Sequence, residues 1–352
     1  MNDLYVCPLC HAPLQALHCV ACNREFRTQH EIPDFSTRDH YWNQLSPEQM
    51  EVLLEISEAY GYRYGIEKIA GLFKDPYLIQ YALDPYRADF RAILPITPET
   101  HVLDLGSGWG AVACALAPSC CTITVADTNP YNLRFIRMRA RQSGVNNLRA
   151  VRIDPLDDAR LPFPDNTFGV VLLNGVLEYV GSASQDVSAE EAQRRCLREI
   201  RRVLRPDGVL YVGIENRYSY RYFMGVRDHS SLRYTSILPR PIASLMTRLR
   251  QGRPYRTYTY SHQGYRSLLA SAGFTPPEIY IAYPSYREPR FILPGDNDQA
   301  IVYFVRRHLS YIRRKRLRHL IEAMINYLPL HLSGRAIRQI CDSYLLVAGA
   351  GK

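Results

Sequence analysis

Four cysteines near the start of the sequence have the spacing of a metal site. Cys7 and Cys10 form one C-x-x-C pair, and Cys19 and Cys22 form a second pair eight residues later. Two such pairs on facing turns can direct four thiolates at one ion, which makes a closed tetrahedral zinc site with no open position for catalysis. We therefore predict one structural zinc, whose binding supplies most of the folding free energy of this short segment. Disulfides or a redox pair are the alternatives.

A glycine-rich segment has the form of a ligand-binding turn. Residues 102–110 read V-L-D-L-G-S-G-W-G, an apolar run that leads into closely spaced glycines. This pattern is typical of a strand, a tight turn and a helix, and glycine lets the backbone approach a ligand closely. The turn alone does not separate dinucleotide-binding proteins from other families. Two acidic residues sharpen it, because Asp127 and Asp154 follow the next two predicted strands and can accept hydrogen bonds from a ribose and an adenine.

The surrounding sequence predicts a parallel α/β sheet that positions these residues. From residue 101 onward, short apolar runs alternate with helical patterns. Strands are predicted at 101–105, 122–126, 148–153, 169–173, 209–213, 278–282 and 300–304. The divisions predicted from these patterns are a zinc ribbon at 1–35, a helical cap at 36–98, the α/β domain at 99–306 with an insertion at 217–260, and a basic helical tail at 307–352.

These motifs resemble the class I S-adenosylmethionine-dependent methyltransferases over roughly residues 85–306. The likeness continues in L-P-F-P-D-N-T-F at 161–168 and in N-G-V-L-E-Y-V at 174–180. The first 35 residues resemble the zinc ribbons that precede many bacterial methyltransferase domains. The resemblance implies a Rossmann-like, seven-stranded sheet with helices on both faces, and S-adenosylmethionine as the cofactor.

The resemblance also implies which residues hold the methionine part of the cofactor. The turn formed by Gly106, Ser107, Gly108 and Gly110 is expected to cradle it, with Asp104 near its amino group.

Four other residues are expected around the nucleoside and the sulfonium. The resemblance implies that Asp127 binds the ribose, Asp154 the adenine, and that Asn174 lines the pocket under the sulfonium. The stretch after Asp154 is longer than the family pattern, so Asp157 could make the adenine contact instead.

Whether the reaction needs a base depends on the acceptor. A carboxylate or phenolate can take a methyl group directly, whereas a sugar hydroxyl or an ammonium must first lose a proton. Glu178, Glu215, His229 and His262 follow the predicted carboxyl ends of strands, where ligands bind in open α/β sheets. Of these we favour Glu178 and His229 as catalytic residues.

The insertion at 217–260 suggests an acidic partner. It contains nine Arg, seven Tyr, no Lys and a single acidic residue, Asp228. Guanidinium groups bind phosphate and carboxylate oxygens in pairs, and tyrosine stacks on sugars and bases. We expect Arg217, Tyr218 and Arg221 to bind an anionic acceptor. Part of the insertion resembles methyltransferases encoded with bacterial surface-polysaccharide enzymes, which suggests a phosphorylated sugar, a nucleotide-sugar or a lipid-linked glycan.

Net charge and composition bear on where the protein is located and on which alternative functions it could have. The net charge is +9, and no apolar leader precedes the cysteines, so we expect a cytoplasmic protein. Basic amphipathic patterns at 237–253 and 306–328 could rest on an anionic membrane, at its inner face, or cover the enzyme core. An RNA methyltransferase is the first alternative, although no N/D-P-P-Y-type motif follows the fourth strand. A scaffold without turnover is the second.

Overall fold

A mixed sheet of ten strands organises the part of the chain that the computed structural model describes, residues 4–157, 160–182, 187–312 and 315–351. The strands in chain order are β1 His18–Cys19, β2 Arg24–Glu25, β3 Arg27–Gln29, β4 Ile32–Asp34, β5 His101–Leu105, β6 Thr122–Asp127, β7 Leu148–Arg152, β8 Phe168–Asn174, β9 Leu204–Glu215, β10 Glu278–Ser285, β11 Glu288–Pro294 and β12 Ser343–Gly349. Their spatial order is β11-β10-β12-β9-β8-β5-β6-β7-β4-β3, and β1 and β2 form a separate small hairpin.

Helices cover the sheet and the cofactor-binding edge. They are α1 Pro47–Tyr60, α2 Tyr62–Phe73, α3 Pro76–Leu83, α4 Ala111–Leu116, α5 Pro130–Gln142, α6 Ala189–Val203, α7 Tyr220–Phe223, α8 Arg240–Gln251, α9 His262–Ser271, α10 Asp298–His308, α11 Lys315–Tyr327 and α12 Leu330–Ile340. None of the helices in the described ranges is both long and apolar enough to cross a bilayer.

The centre of the sheet is parallel and buried on both faces. Strands β7, β6, β5, β8 and β9 pair in parallel, and their inner residues are almost all apolar and buried. Near-continuous apolar strands are typical of parallel sheets, because helices cover both sides. The carboxyl ends of these strands therefore meet at one edge, where the glycine-rich turn follows β5.

The prediction of a strand at 300–304 is wrong, because these residues lie in α10. The side chain of Asn297 accepts a hydrogen bond from the backbone N–H of Ala300 and caps the helix, and Asp298 lies in its first turn. Basic residues occupy its last turn, where they complement the helix dipole. These end signals outweigh the short apolar run between them.

The last strand of the sheet comes from the segment predicted as a helical tail. Strand β12 lies antiparallel between β9 and β10 and pairs with both. The helical prediction for 307–352 is therefore wrong at 343–349, although α11 and α12 precede that strand. The count of seven strands becomes ten because β3, β4 and the hairpin strand β11 extend the two edges. Divisions into domains stay a prediction.

The cysteine-rich segment packs on the edge of the main sheet. Strand β4 pairs with β7 at Asp34 and Arg152, whose side chains form a buried ion pair of 3.0 Å. Cys7, Cys19, Phe26 and Phe35 belong to the same apolar core as the strands beside them. Strands β3 and β4 thus extend the sheet, and the chain leaves the cysteine-rich segment next to the carboxyl end of β7.

Candidate functional site

A cavity of about 1140 Å³ opens at the carboxyl ends of the parallel strands. One wall is the glycine-rich turn after β5, and a second is the segment that leaves the cysteine-rich region, with His40, Trp42 and Gln44. The insertion supplies a third wall through residues 247–257. The sheet, the segment that follows the ribbon and the insertion therefore converge on a single site.

The glycine-rich turn requires glycine for two reasons. Gly106, Gly108 and Gly110 all have positive φ, between 53° and 71°, where other residues are strained. A Cβ atom on Gly108 would lie 2.1 Å from the hydroxyl of Tyr81, so the turn also has no room for a side chain there. The hydroxyl of Ser107 donates to the carbonyl of Asp104 at 2.8 Å and closes the turn.

Asp127 ties the end of β6 to this turn. Its carboxylate accepts hydrogen bonds from the backbone N–H of Gly108 at 3.0 Å and of Asn129 at 2.8 Å. Burial raises the pKa of Asp127 to about 6, although these hydrogen bonds favour the charged form. Burial and the neighbouring Asp127 likewise raise the pKa of Asp104 to about 7. The turn and both carboxyl groups line the cavity, as the strand order predicted.

Several buried polar atoms at this end of the cavity have no hydrogen-bond partner within the described residues. They are Oδ2 of Asp104 and both side-chain amide atoms of Asn174. Such atoms are costly to bury unless something binds them. The amino, carboxylate and hydroxyl groups of S-adenosylmethionine are of the right chemical kind to do so, and the residues present fit that cofactor.

The structure places Asp154 away from the cavity lining. Its carboxylate accepts hydrogen bonds from the backbone N–H of Thr37 and Arg38 and from the hydroxyl of Thr37, which fastens the exit of the cysteine-rich segment. Asp157 instead lines the cavity and accepts from the backbone N–H of Gly181 at 2.6 Å. An adenine contact from Asp154 is thus disfavoured, and one from Asp157 stays a prediction.

A cluster of charged groups lies next to the cofactor end. Nε2 of His229 is 3.1 Å from Oε2 of Glu215 and 3.9 Å from Oε1 of Glu178. Arg287 donates to Glu215 at 3.0 Å, and the hydroxyl of Tyr179 lies 2.8 Å from Nδ1 of His229. His229 and Arg287 line the cavity, and Glu178 is fully buried behind them.

These contacts give the carboxyl groups of Glu178 and Glu215 different pKa values. Burial and, to a smaller extent, the charge of Glu215 together raise the pKa of Glu178 to about 7. Burial also raises the pKa of Glu215, but His229 and Arg287 outweigh it and lower the net value. For His229, burial lowers the pKa and the two glutamates outweigh it, so the imidazole is charged near neutral pH. His229 is then a charged partner of Glu215, and Glu178 is the better base.

Two groups of side chains have the composition of metal sites. The Sγ atoms of Cys7, Cys10, Cys19 and Cys22 converge, as do ligand atoms of Glu178, Glu215 and His229. In the second group, Arg287 and the charged His229 already balance the two carboxylates. A further cation there would face the guanidinium of Arg287, so we interpret only the cysteines as a metal site.

The insertion reaches the cavity through arginines other than the predicted ones. Arg217 donates to the carbonyl groups of Ser236 and Leu238, and Arg221 pairs with Asp342 at 3.3 Å. The ring of Tyr218 lies against the guanidinium of Arg217. None of the three lines the cavity, so the prediction that they bind the acceptor is not supported. They fasten the insertion to itself and to the residue before β12.

Arg248 and Arg253 take the place expected for acceptor-binding arginines. Both are exposed, both line the cavity, and neither has an ion pair in the described part of the chain. The sequence offered one signal for Arg248, its place in a helical pattern. His262, another candidate base, lies outside the cavity against Tyr344, where burial lowers its pKa to about 4.

Comparisons with known proteins agree with this site. Residues 103–212 match the family model described as "Methyltransferase domain". The chain is 34% identical over 115 residues to a glycine/sarcosine/dimethylglycine N-methyltransferase of Actinopolyspora halophila, over 32% of this chain and 18% of that protein. It is 29% identical over 142 residues to a ubiquinone biosynthesis O-methyltransferase of Rhizobium leguminosarum bv. trifolii (strain WSM2304), over 40% of this chain and 50% of the relative.

The matched segments span at most half the length of these two relatives. Among solved structures, the chain is similar to phosphoethanolamine N-methyltransferase 2 of Haemonchus contortus in complex with S-adenosyl-L-methionine. The TM-score is 0.46 with 12% identity, over 85% of this chain and 60% of that chain. The family match, the glycine-rich turn and the order of the parallel strands together identify residues 103–212 as a class I S-adenosylmethionine-dependent methyltransferase domain.

Proposed function

We propose that the chain transfers the methyl group of S-adenosylmethionine to a small anionic acceptor, with a phosphorylated sugar, a nucleotide-sugar or a lipid-linked glycan as the acceptor class. The observation that carries the proposal is the shared cavity. The glycine-rich turn, His229 and the unpaired guanidinium groups of Arg248 and Arg253 line it, and the buried carboxyl of Glu178 lies directly behind His229, 3.9 Å from its Nε2 atom. The cofactor and acceptor sites then share one cavity, and the proposed base lies directly behind its wall.

Binding of the cofactor follows from the groups around the turn. The backbone of residues 106–110 and the carboxylate of Asp127 would hold it, with Asn174 beside the sulfonium. The sulfonium supplies an electrophilic methyl group for an in-line displacement, and the protein supplies alignment and exclusion of water. Trp42 and the wall formed by 247–257 line the same cavity as the turn.

Removal of a proton from the acceptor is assigned to Glu178. Neither of its carboxyl oxygens has a hydrogen-bond partner within the described residues, although the side chain is fully buried. A carboxylate with a pKa of about 7 accepts a proton efficiently near neutral pH. Glu215 cannot replace it, because His229 and Arg287 occupy its oxygens.

The choice of an anionic acceptor rests on the two free arginines. Arg248 and Arg253 face the cavity without a carboxylate partner among the described residues, so a phosphate or carboxylate on the acceptor would be their first counterion. The names of the two curated relatives concern small molecules, which supports an acceptor of that size.

The direct experiment is transfer of a tritiated methyl group to fractions of the host cell. Label in the anionic saccharide or small-molecule fraction supports the proposal. Label in RNA would assign the alternative function instead. Tight binding of S-adenosylmethionine by calorimetry, with no label in any fraction, would leave the chain as a scaffold that binds the cofactor.

Reversal of charge at Arg248 and Arg253 tests the class of acceptor. The double change to Glu should raise the acceptor KM strongly, because attraction to the anion becomes repulsion, and added salt should weaken acceptor binding to the wild type. Steady-state kinetics at low ionic strength measures both effects. The matched control is Arg91→Glu, at an exposed position away from the cavity lining. An unchanged acceptor KM in the double variant would exclude this anion site.

We also propose that the four cysteines hold one structural zinc ion. Their Sγ atoms lie 3.5 Å apart for Cys7 and Cys22, 3.4 Å for Cys10 and Cys19, and 3.7 Å for Cys10 and Cys22. A tetrahedral ion at about 2.3 Å from each sulfur separates the sulfurs by about 3.8 Å. The spacing therefore fits zinc with little movement. Elemental analysis of freshly purified protein should find one zinc per chain, and substoichiometric zinc would count against the site.

A further inference from the structure

Helix α8 presents an apolar ridge to the outside of the protein. Ile242, Leu245 and Leu249 are exposed by 53%, 58% and 79%, and their spacing places them along one face of the helix. The opposite face contains Ala243 and Thr247, which are both buried. Packing of α8 on the protein therefore does not bury the three larger apolar side chains of the ridge. Their presence on the surface needs another explanation.

Positive charge flanks this ridge on both sides. Arg248 and Arg250 lie on the two sides of the ridge, because two residues turn the helix by about 200°, and neither has an ion pair in the described ranges. Between residues 229 and 277 the sequence contains no Asp or Glu. A second copy of this surface would be repelled by the first, so self-association is disfavoured. An anionic layer that also accepts apolar side chains satisfies both features.

The ridge lies next to the cavity mouth. Thr247, Arg248 and Gln251 of the same helix line the cavity, whereas Leu245 and Leu249 project outside it. A surface that receives the ridge would therefore lie beside the entrance used by the acceptor.

We infer that α8 is an interfacial helix that docks the cavity mouth on an anionic lipid surface. The apolar ridge enters the boundary between headgroups and acyl chains, and Arg250, which is exposed and lies outside the cavity lining, binds lipid phosphates. The inference does not depend on methyl transfer, because lipid binding needs neither cofactor nor acceptor. With the proposed function, it favours an acceptor that is itself anchored to that surface.

Vesicle sedimentation with the full chain tests this inference. The wild type should sediment with vesicles of phosphatidylcholine and phosphatidylglycerol at a ratio of about 3:1, far more weakly with pure phosphatidylcholine, and less at high salt. The double variant Leu245→Glu/Leu249→Glu should bind the mixed vesicles at least about tenfold more weakly, because two ionised side chains resist burial in the interface. Both positions are exposed, so the variant should keep the wild-type affinity for S-adenosylmethionine.

Two matched variants locate the contact. Leu72→Glu, at an exposed position on α2, should bind vesicles like the wild type. Leu320→Glu tests α11, which also has an exposed leucine beside basic residues; residues 313 and 314 in that region lie outside the described ranges. Loss of binding in Leu320→Glu, with binding retained in the α8 variant, would overturn the assignment to α8. Wild-type protein that ignores anionic vesicles, or a ridge whose mutation converts a dimer to a monomer, would overturn it as well.

Discussion

Glu178 is a fully buried carboxyl group whose oxygens have no hydrogen-bond partner within the described residues. Burying a polar group in this way costs about 1–3 kcal/mol. The neighbouring Glu215 is instead held as an ion, because its Oε1 accepts a hydrogen bond from Arg287 and its Oε2 lies 3.1 Å from Nε2 of the charged His229. The contrast between two neighbouring glutamates is typical of a site where one carboxyl group must stay free to exchange a proton.

Replacing Glu178 with Gln should lower kcat by about 10²–10⁴-fold, because the amide cannot accept a proton. In the wild type, kcat should rise as the pH increases through about 7, since only the ionised carboxylate is a base and burial raises its pKa to about 7. The variant should lack this rise. A pH profile of kcat at saturating cofactor measures both effects. Wild-type kcat in Glu178→Gln would show that the acceptor needs no base, as for a phenolate or carboxylate.

Asp127→Asn should weaken S-adenosylmethionine binding by about 1.5–3 kcal/mol, because charge-assisted hydrogen bonds to the ribose are lost. The wild-type affinity should fall as the pH decreases through about 6, since burial raises the pKa of Asp127 to about 6 and the protonated form is the poorer acceptor. Calorimetry across this pH range measures the change. Asp207→Asn, at an exposed position of β9 away from the cavity lining, is the control. An unchanged affinity in Asp127→Asn would remove Asp127 from the ribose site.

The sequence predicted the position of those site residues that directly follow a strand. Asp127, Gly106 and Gly108 are such residues, and they line the cavity, whereas Gly110 of the same turn does not. It failed where side chains meet only after loops fold. His229 reaches Glu215 because the insertion returns to the sheet. Arg217 cannot be told from Arg248 by charge alone, although the first binds carbonyl groups and the second faces the cavity.

The segment that follows the cysteine-rich region joins two elements that look independent in the sequence. Thr37 binds Asp154 at the end of β7, and the carbonyl group of Trp42 accepts from the side chain of Asn129 at 3.1 Å. Asn43 donates to Asn132, which lies beside Asp127. The position of this wall of the cofactor cavity therefore depends on the ribbon, to which the segment is attached.

Cys19→Ser should remove the metal, make residues 1–35 sensitive to protease before the main sheet, and weaken S-adenosylmethionine binding. The reason for the last effect is that the released segment carries Trp42 and His40 out of the cavity wall. Elemental analysis, limited proteolysis and calorimetry report the three effects. Cys121→Ser, an exposed cysteine outside the cluster, should change none of them. Loss of metal with full cofactor affinity would mean that the ribbon does not support the wall.

The prediction made from the pattern of apolar residues alone placed one strand of the sheet at the wrong position in the sequence. The run at 300–304 has the composition of a strand, but Asn297 and Asp298 before it and Arg306 after it are helix end signals. The strand at 343–349 follows a long basic region. Because that region was predicted to be helical as a whole, the strand within it was missed. A short apolar run does not reveal its partners, and only the register with β9 and β10 shows where β12 belongs.

For the whole molecule, removal of residues 343–352 should prevent stable folding. Strand β12 pairs with both neighbours, and Tyr344, Leu345 and Leu346 are fully buried, so its loss leaves a gap inside the sheet. Thermal unfolding followed by circular dichroism should show no cooperative transition. A chain that ends at Ala350 keeps the whole strand and should unfold like the full chain. A cooperative transition without β12 would show that the remaining sheet closes without it.

The position of β12 also affects how the protein is made. Strand β9 leaves the ribosome long before β12, with the insertion, β10, β11 and α10–α12 synthesised in between. At about 5–20 residues per second, this interval lasts on the order of ten seconds. Throughout it, the inner edge of β9 exposes unpaired backbone groups that another strand could occupy. The nascent chain therefore passes through a period of vulnerability to mispairing, and its yield in a cell depends on how well chaperones shield that edge until translation reaches the final strand.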